Sequence, residues 1–310
     1  MKVRPNLYLS RRQMLFSLAS LGASALIKPS SLFARDEEKK VLRFAVLGDW
    51  GSGYKEETEL AKKMFETYQQ KPFEFILTVG DNIYPNGHAK YFAPKFEKPF
   101  EDLIKAKVPF YATLGNHDVE EGREAQINYP LFNMNGENYY KLSKGNGLVD
   151  FFMLDSTDFD YEQQSWLEQS LKDSTAHWKI ALFHHPLYSS GLKHGSQDKI
   201  KQIAEPIFVR HGVKVVFSGH DHFYERMHLQ KGIQYFVTGG GGKLRKGGLD
   251  MKSSMRAASY DVDNHFMIVE IDETETLFKA ISRKGQIADE GAIKKTLAIP
   301  ASAAAASASY

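Results

Sequence analysis

Short apolar runs alternate with amphipathic stretches from residue 41 onward. Val41–Leu47 is apolar almost throughout, which predicts a strand buried on both faces, and it stops at Gly48-Asp49-Trp50-Gly51. Leu60, Met64, Phe65 and Tyr68 then share one face of a predicted helix. Phe73–Val79 reads as a second strand ending in Gly80-Asp81-Asn82, and Val108–Leu114 as a third ending in Gly115-Asn116-His117-Asp118. Between them Tyr91–Lys107 has a helical pattern that Pro94 and Pro99 should break or offset. The polar stretch Glu120–Glu137 is predicted to be a long loop, and Tyr139–Leu142 and Leu148–Leu154 an adjacent strand pair. Glu162–Leu171 follows as a helix burying Trp166, Leu167 and Leu171, then Lys179–Phe183 as a strand running into His184-His185-Pro186. Asp198–His211 reads as a helix and Val213–Phe217 as a strand that ends in Ser218-Gly219-His220-Asp221-His222. Ile233–Thr238, Phe266–Ile271 and a hairpin-like Leu277–Ser282 complete the pattern. Strand–loop–helix alternation of this kind predicts an α/β fold with parallel βαβ units, in one domain.

The chemistry-bearing residues fall where the strands stop. Ligands of open α/β sheets bind beyond the carboxyl ends of parallel strands, and Asp49, Asp81, Asn116, His184, His220 and His222 all lie there. Glycine precedes Asp49, Asp81, Asn116 and His220, which fits a sharp turn that brings these side chains close to their neighbours. Singly, each has a structural alternative: an Asp after a strand caps helices, Asn116 suits a turn, and histidines sit satisfied in cores. Jointly they offer carboxylate, carboxamide and imidazole, a mixed N/O set that suits iron, zinc or manganese and not calcium. The run Gly239-Gly240-Gly241-Gly242-Lys243 lacks the Lys-Ser/Thr ending of a phosphate loop; a flexible glycine turn is the better reading, with Lys243 or Arg245 beside the substrate. His88, His177, His211, His228 and His265 read as structural or exposed.

Composition narrows the class. The charged fraction of 25% and apolar fraction of 42% are those of an ordinary globular protein. Formal net charge is +2, but residues 1–34 hold Lys2, Arg4, Arg11, Arg12 and Lys28 and no acid, so the rest sits near −3 and presents no basic face for nucleic acid. With no cysteine, disulfides, thiolate metal sites, cysteine nucleophiles and a lipid-modified cysteine are all excluded. Residues 1–34 run from a charged start through an apolar stretch, Met14 to Ile27, to the small-residue exit Ser-Ser-Leu-Phe-Ala. That order is a secretory leader, too short to span about 30 Å of hydrocarbon comfortably. An uncleaved anchor or a poorly ordered N-terminal helix is the alternative. Arg11-Arg12 resembles a twin-arginine export signal, which implies the twin-arginine translocase as an export partner, a periplasmic or secreted mature protein, and no stable membrane association after cleavage. The domain boundaries expected are 1–34 for the leader, 35–298 for the folded domain and 299–310 for a disordered Ala/Ser-rich tail.

Gly48-Asp49-Trp50-Gly51, Gly80-Asp81-Asn82-Ile83-Tyr84, Gly115-Asn116-His117-Asp118, Phe183-His184-His185-Pro186 and Gly219-His220-Asp221-His222 resemble, in order, the five metal-binding blocks of the calcineurin-like metallophosphoesterases. Tyr84, three residues after Asp81, narrows the resemblance to the purple acid phosphatases, of the small tartrate-resistant type. The resemblance implies a four-layer α/β/β/α sandwich of two mixed β-sheets, with a dimetal site at the strand ends. It implies Fe(III) on Asp49, Asp81, Tyr84 and His222, a divalent iron, zinc or manganese on Asp81, Asn116, His184 and His220, and Asp81 as the bridge. It further implies hydrolysis of small-molecule phosphate monoesters by a metal-activated hydroxide, with His117 and His194 binding phosphate and assisting the leaving group. A solvent-exposed loop histidine is the alternative for His194. Asp118 is expected to orient His117, and His185 occupies a variable position outside the core set. A phosphodiesterase or nucleotide phosphatase on the same fold, and a non-catalytic metal- or phosphate-binding protein, are the competing readings.

Overall fold

Alternate residues of the first strand face two different cores. In the computed structural model, which describes residues 41–295, Phe44 and Val46 of β1 (Leu42–Leu47) enter one core, and Ala45 and Leu47 enter another. A strand buried on both sides needs apolar residues at every position, which is why the run is unbroken. The same division holds in β6 (Trp178–Leu182), where Ile180 and Leu182 oppose Ala181, and in β7 (Val215–Ser218), where Val215 and Phe217 oppose Val216. The leader and the tail expected at the two ends lie outside the described residues, which carry no helix long and apolar enough to cross a membrane.

Two mixed sheets result. The first contains, in spatial order, β13 (Ile287–Lys294), β12 (Glu275–Ser282), β11 (His265–Ile271), β1, β2 (Ile76–Thr78) and β3 (Phe110–Tyr111), with β1, β2 and β3 parallel. The second runs β10 (Arg256–Tyr260), β8 (Tyr224–Met227), β9 (Gln234–Thr238), β7, β6, β5 (Val149–Met153) and β4 (Tyr140–Lys144), with β5, β6, β7 and β9 parallel. Their inner faces share the core that includes Phe44, Leu77, Phe151, Leu182, Phe217 and Met267. Helices α1 (Lys55–Gln70) and α2 (Glu101–Lys105) cover the outer face of the first sheet. Helices α5 (Tyr161–Asp173) and α6 (Asp198–His211) cover that of the second. This is the expected four-layer α/β/β/α sandwich.

Two local expectations change and a third is made specific. Glu120–Glu137 is not a long loop: it takes in the end of α3 (Asp118–Glu121), all of α4 (Arg123–Ile127) and a short 3-10 turn at Pro130–Phe132. The 91–107 segment splits into a 3-10 turn, one π turn and α2, as its two prolines require. In α5 Leu167 and Leu171 are buried, but Trp166 is only half-buried, packing its ring 5.0 Å from that of Tyr139. Trp50 anchors the turn after β1, fully buried with its ring 5.1 to 5.3 Å from those of Phe100 and Phe96.

Candidate metal centre

Parallel strands β1 and β2 end side by side, and β6 and β7 end opposite them across the inner core. The turns that follow deliver two groups of side chains. In the first, the Tyr84 hydroxyl donates to Asp81 Oδ2 at 2.8 Å and lies 3.2 Å from both Asp49 Oδ1 and His222 Nε2. His222 Nε2 is 3.4 Å from Asp49 Oδ1, so four donor atoms surround one point. In the second group, His184 Nε2 lies 3.0 Å from Asn116 Oδ1, 3.1 Å from His220 Nδ1 and 3.5 Å from Asp81 Oδ1. Asp81 thus turns one oxygen to each group.

The expected role of the glycines is refined. Asp49, Asp81 and His220 themselves adopt left-handed backbone, with φ of 54°, 49° and 69°, so these donor residues carry much of the turn's strain. Glycine is needed beside them for room. A Cβ on Gly219 would collide with Asp49 Oδ2, and one on Gly115 with the Asp81 amide nitrogen. Through these close approaches the His220 N–H reaches Asp49 Oδ2 at 2.9 Å, and the His117 N–H reaches Asp81 Oδ1 at 3.0 Å.

Electrostatics favour a cation at both points. His184 donates its Nδ1–H to the Val79 carbonyl at 3.0 Å, and burial holds its pKa well below the usual imidazole value. Nε2 of the neutral ring is therefore a lone pair, facing the carbonyl-type acceptor Asn116 Oδ1 with no hydrogen between them. A metal ion satisfies both. Burial, then the Asp81 charge, raises Asp49 well above the carboxylate range, and burial followed by the Asp49 charge raises Tyr84. Buried acids that repel one another are stable as anions only beside strong positive charge.

Around the donors the structure makes several reassignments. Asp118 does not hold His117: fully buried, it accepts the N–H groups of Asn82 at 3.0 Å, Ile83 at 3.0 Å and Gly115 at 2.8 Å, and Gln126 Nε2 at 2.8 Å. It ties the Asp81 turn to the Asn116 turn. Burial and then Asp81 raise its carboxyl to about 7. His117 instead donates Nδ1–H to the Pro85 carbonyl at 2.5 Å and packs its ring, tilted, 4.7 Å from that of Tyr84. The half-buried His194 ring lies 4.0 Å from that of His220. His185, left outside the expected set, joins His184 and His220 in a cluster of three imidazoles, its Nδ1 held 2.9 Å from Ser156 Oγ.

The glycine run is not a flexible turn. Gly239–Gly242 is buried; Gly241 and Gly242 donate to the carbonyls of Gly48 and Asp49 at 2.9 and 2.8 Å, and a Cβ on Gly242 would strike the Trp50 carbonyl. It leads to Lys243, whose Nζ stands 4.2 Å over the Tyr84 ring. Beside His222 and Lys243 a groove of about 850 Å³ opens to solvent. Sequence reasoning missed Asn82 and Gln126: Asn82 receives Trp50 Nε1–H at 3.1 Å and Thr78 Oγ1–H at 2.7 Å, and its amide donates to Thr113 O at 2.8 Å and to Gln126 Oε1 at 3.2 Å. Only the position of Asn82 beside Asp81 pointed to it, and Gln126 lay in the presumed loop. His265 is buried against Thr238 and His88 caps the turn at Lys90, so both are structural as expected.

Two facing mixed sheets with an N/O metal cluster at the strand ends define a metallophosphoesterase. The calcineurin-like phosphoesterase family matches residues 42–224. Purple acid phosphatase 3 of Arabidopsis thaliana is 28% identical over 265 residues, covering 75% of this chain and 72% of the relative. Tartrate-resistant acid phosphatase type 5 of Homo sapiens is 29% identical over 264 residues, covering 72% and 79%. In fold, the purple acid phosphatase PPD1 from yellow lupin (Lupinus luteus) seeds superposes with a TM-score of 0.70 at 19% identity, over 83% of this chain and 54% of that one. The chain belongs to the calcineurin-like phosphoesterases, and within them to the purple acid phosphatases.

Proposed function

We propose that the protein is a dinuclear metal-dependent acid phosphatase that hydrolyses phosphate monoesters, with Fe(III) in the phenolate-bearing half of its centre and a divalent ion in the imidazole-bearing half. The observation that carries this reading is the divided Asp81 carboxylate, with Oδ2 2.8 Å from the Tyr84 hydroxyl and Oδ1 3.5 Å from His184 Nε2. Asp49, Tyr84 and His222 complete one set, and Asn116, His184 and His220 the other. Carboxylate and phenolate suit a hard trivalent ion, and the two imidazoles with a carboxamide suit Fe(II), Zn(II) or Mn(II). When bound, the two ions supply a hydroxide nucleophile and positive charge for the phosphate oxygens.

The chain's own groups do the rest. The Val79 carbonyl fixes the His184 ring so that Nε2 faces inward. His117, its Nδ1–H committed to Pro85, keeps Nε2 for the phosphate, and His194 beside His220 protonates the departing alkoxide. Lys243 over the Tyr84 ring adds positive charge at the mouth. The decisive experiment is a visible spectrum of the purified protein with metal analysis. A phenolate-to-Fe(III) charge-transfer band and two metal ions per chain are expected; an active, colourless, iron-free protein overturns the Tyr84 assignment. We also propose that residues 1–34 direct export through the twin-arginine translocase to a periplasmic or secreted location, as Arg11 and Arg12 before the apolar run suggest. Replacing both by lysine should leave the protein in the cytoplasm, and unchanged export sinks the idea.

A further inference from the structure

His194 reaches the centre on the segment between β6 and α6, where the described structure has no helix and only an isolated bridge between Gly191 and Leu249. Two buried carboxylates, one in the turn after β7 and one on β8, hold that segment. Asp221, placed between His220 and His222 and fully buried, accepts Ser189 Oγ–H at 2.6 Å and the Gly195 N–H at 3.1 Å, both on Oδ2. Glu225 of β8, also buried, accepts the Ser190 N–H at 2.9 Å on one oxygen and the Ser190 hydroxyl on the other. Arg256 of β10 donates to the same serine hydroxyl at 3.1 Å. Gly191 has no space for a side chain: a Cβ there would collide with the Asp221 carboxyl. The bonds bracket His194 on both sides, Ser189 and Ser190 before it and Gly195 immediately after.

Burying a carboxylate is costly unless hydrogen bonds to the charge offset it. Here two such groups are committed to a loop whose own tip is exposed, Leu192 being 68% accessible. They contribute little to covering a core. What they do is fix a backbone path, and that path ends with the His194 ring 4.0 Å from the His220 ring. Arg245, with Nη1 4.0 Å from Asp221 Oδ1 and its N–H on the His222 carbonyl at 2.8 Å, joins the same clamp to the metal-side turn.

We propose that Asp221 and Glu225 are positioning residues that lock the 189–195 loop so that His194 faces the leaving oxygen of the ester. This rests on the reading of His194 as the proton donor. The consequence is selective: esters with poor leaving groups depend on the clamp, and esters whose leaving group departs without a proton do not.

The test uses the full-length, metal-loaded enzyme, with Asp221→Asn, Glu225→Gln, Ser189→Ala and His194→Ala compared on an alkyl phosphate and on a nitrophenyl phosphate. The alkyl ester should slow by roughly 100-fold or more in His194→Ala and by a smaller factor in the three loop variants, in which the nitrophenyl ester should slow by less than about threefold, because only the alkyl ester needs general acid help. Metal content and visible spectrum should stay unchanged, amide exchange across the 189–195 loop should rise in Asp221→Asn, and Asp221→Asn should add nothing to His194→Ala. Equal losses on both esters, additivity with His194→Ala, or unchanged exchange in the loop overturns the proposal. Should Asp221→Asn shed metal, its effect belongs to the centre and its positioning role is overturned. Glu225→Gln, whose carboxylate holds Ser190 and touches no metal-site side chain, then decides the clamp alone. If exchange rises but His194→Ala leaves the alkyl ester unaffected, the proton-donor reading fails and only the structural clamp is supported.

Discussion

The two halves of the centre come from different sheets and differ in chemistry. Strands β1, β2 and β3 of the first sheet are followed by Asp49, Asp81 with Tyr84, and Asn116, all oxygen donors. Strands β6 and β7 of the second are followed by His184, His220 and His222, all nitrogen donors. Two donors cross the divide. His222 comes over to Asp49 and Tyr84, and Asn116 comes over to His184. Asp81 faces both. A hard, anionic pocket and a softer, imidazole-rich pocket thus arise from apposing two sheets with different strand-end residues, and the crossing donors make the junction one centre. The oxygen half is also the better braced, since Asp118 accepts backbone N–H groups from both the Asp81 and the Asn116 turns.

Breaking the shared element should have the largest effect. Asp81→Asn is expected to lower occupancy of both ions and to cut phosphatase turnover by about three orders of magnitude or more, since metal assistance supplies several kcal/mol of transition-state stabilisation. Metal analysis and steady-state rates check this; loss of one ion alone would show that the carboxylate does not bridge. Next, the halves should separate. Tyr84→Phe should abolish the visible band while the divalent ion stays, and His184→Asn should release the divalent ion while the band stays. Identical losses from both variants would mean that the two pockets are not chemically distinct.

The smallest effect on turnover lies behind the oxygen half, where the change is one of stability. Glu57 of α1 is buried and accepts the Gly53 N–H at 2.5 Å and the Ser52 hydroxyl at 3.1 Å, and burial pushes its carboxyl up to about 8. In the folded protein it therefore holds a proton that the unfolded chain releases near pH 4.5. The stability this contributes is complete below that value and is lost as pH climbs towards 8. The full span corresponds to about 5 kcal/mol, an order-of-magnitude figure. Glu57→Gln should flatten this slope, so the melting temperature of the variant should rise relative to that of the wild type from pH 5 to pH 8. A constant gap would place the proton elsewhere.

Much of the site could be read from the chain because a parallel strand ending in a polar residue is a local pattern. Asp49, Asp81, Asn116, His184 and His220 each follow an apolar run directly, and the two-faced burial of β1 and β7 explains why those runs were so legible. The strands without that signature were not anticipated. Tyr-Glu-Arg-Met of β8 is half polar because Glu225 and Arg226 are consumed by Ser190 and Asp289, while β10 and β13 are edge strands whose residues are only half-buried or exposed. Asp118 was misassigned for a related reason. Its neighbour in sequence is His117, but its hydrogen bonds go to Asn82, Ile83, Gly115 and Gln126, and no spacing rule links those positions.

Residue identity and order along the chain thus carry the donor types, the strand ends that present them, and membership of the phosphoesterase family. Which donors share a pocket does not follow from order. Asp49 meets His222 across 173 positions and Asn116 meets His184 across 68, because two sheets pack face to face and place distant strand ends within 3 to 4 Å. The bracing of Asp118 and the clamp on His194 belong to that same level, since buried carboxylates take whichever N–H and O–H groups the packing brings to them.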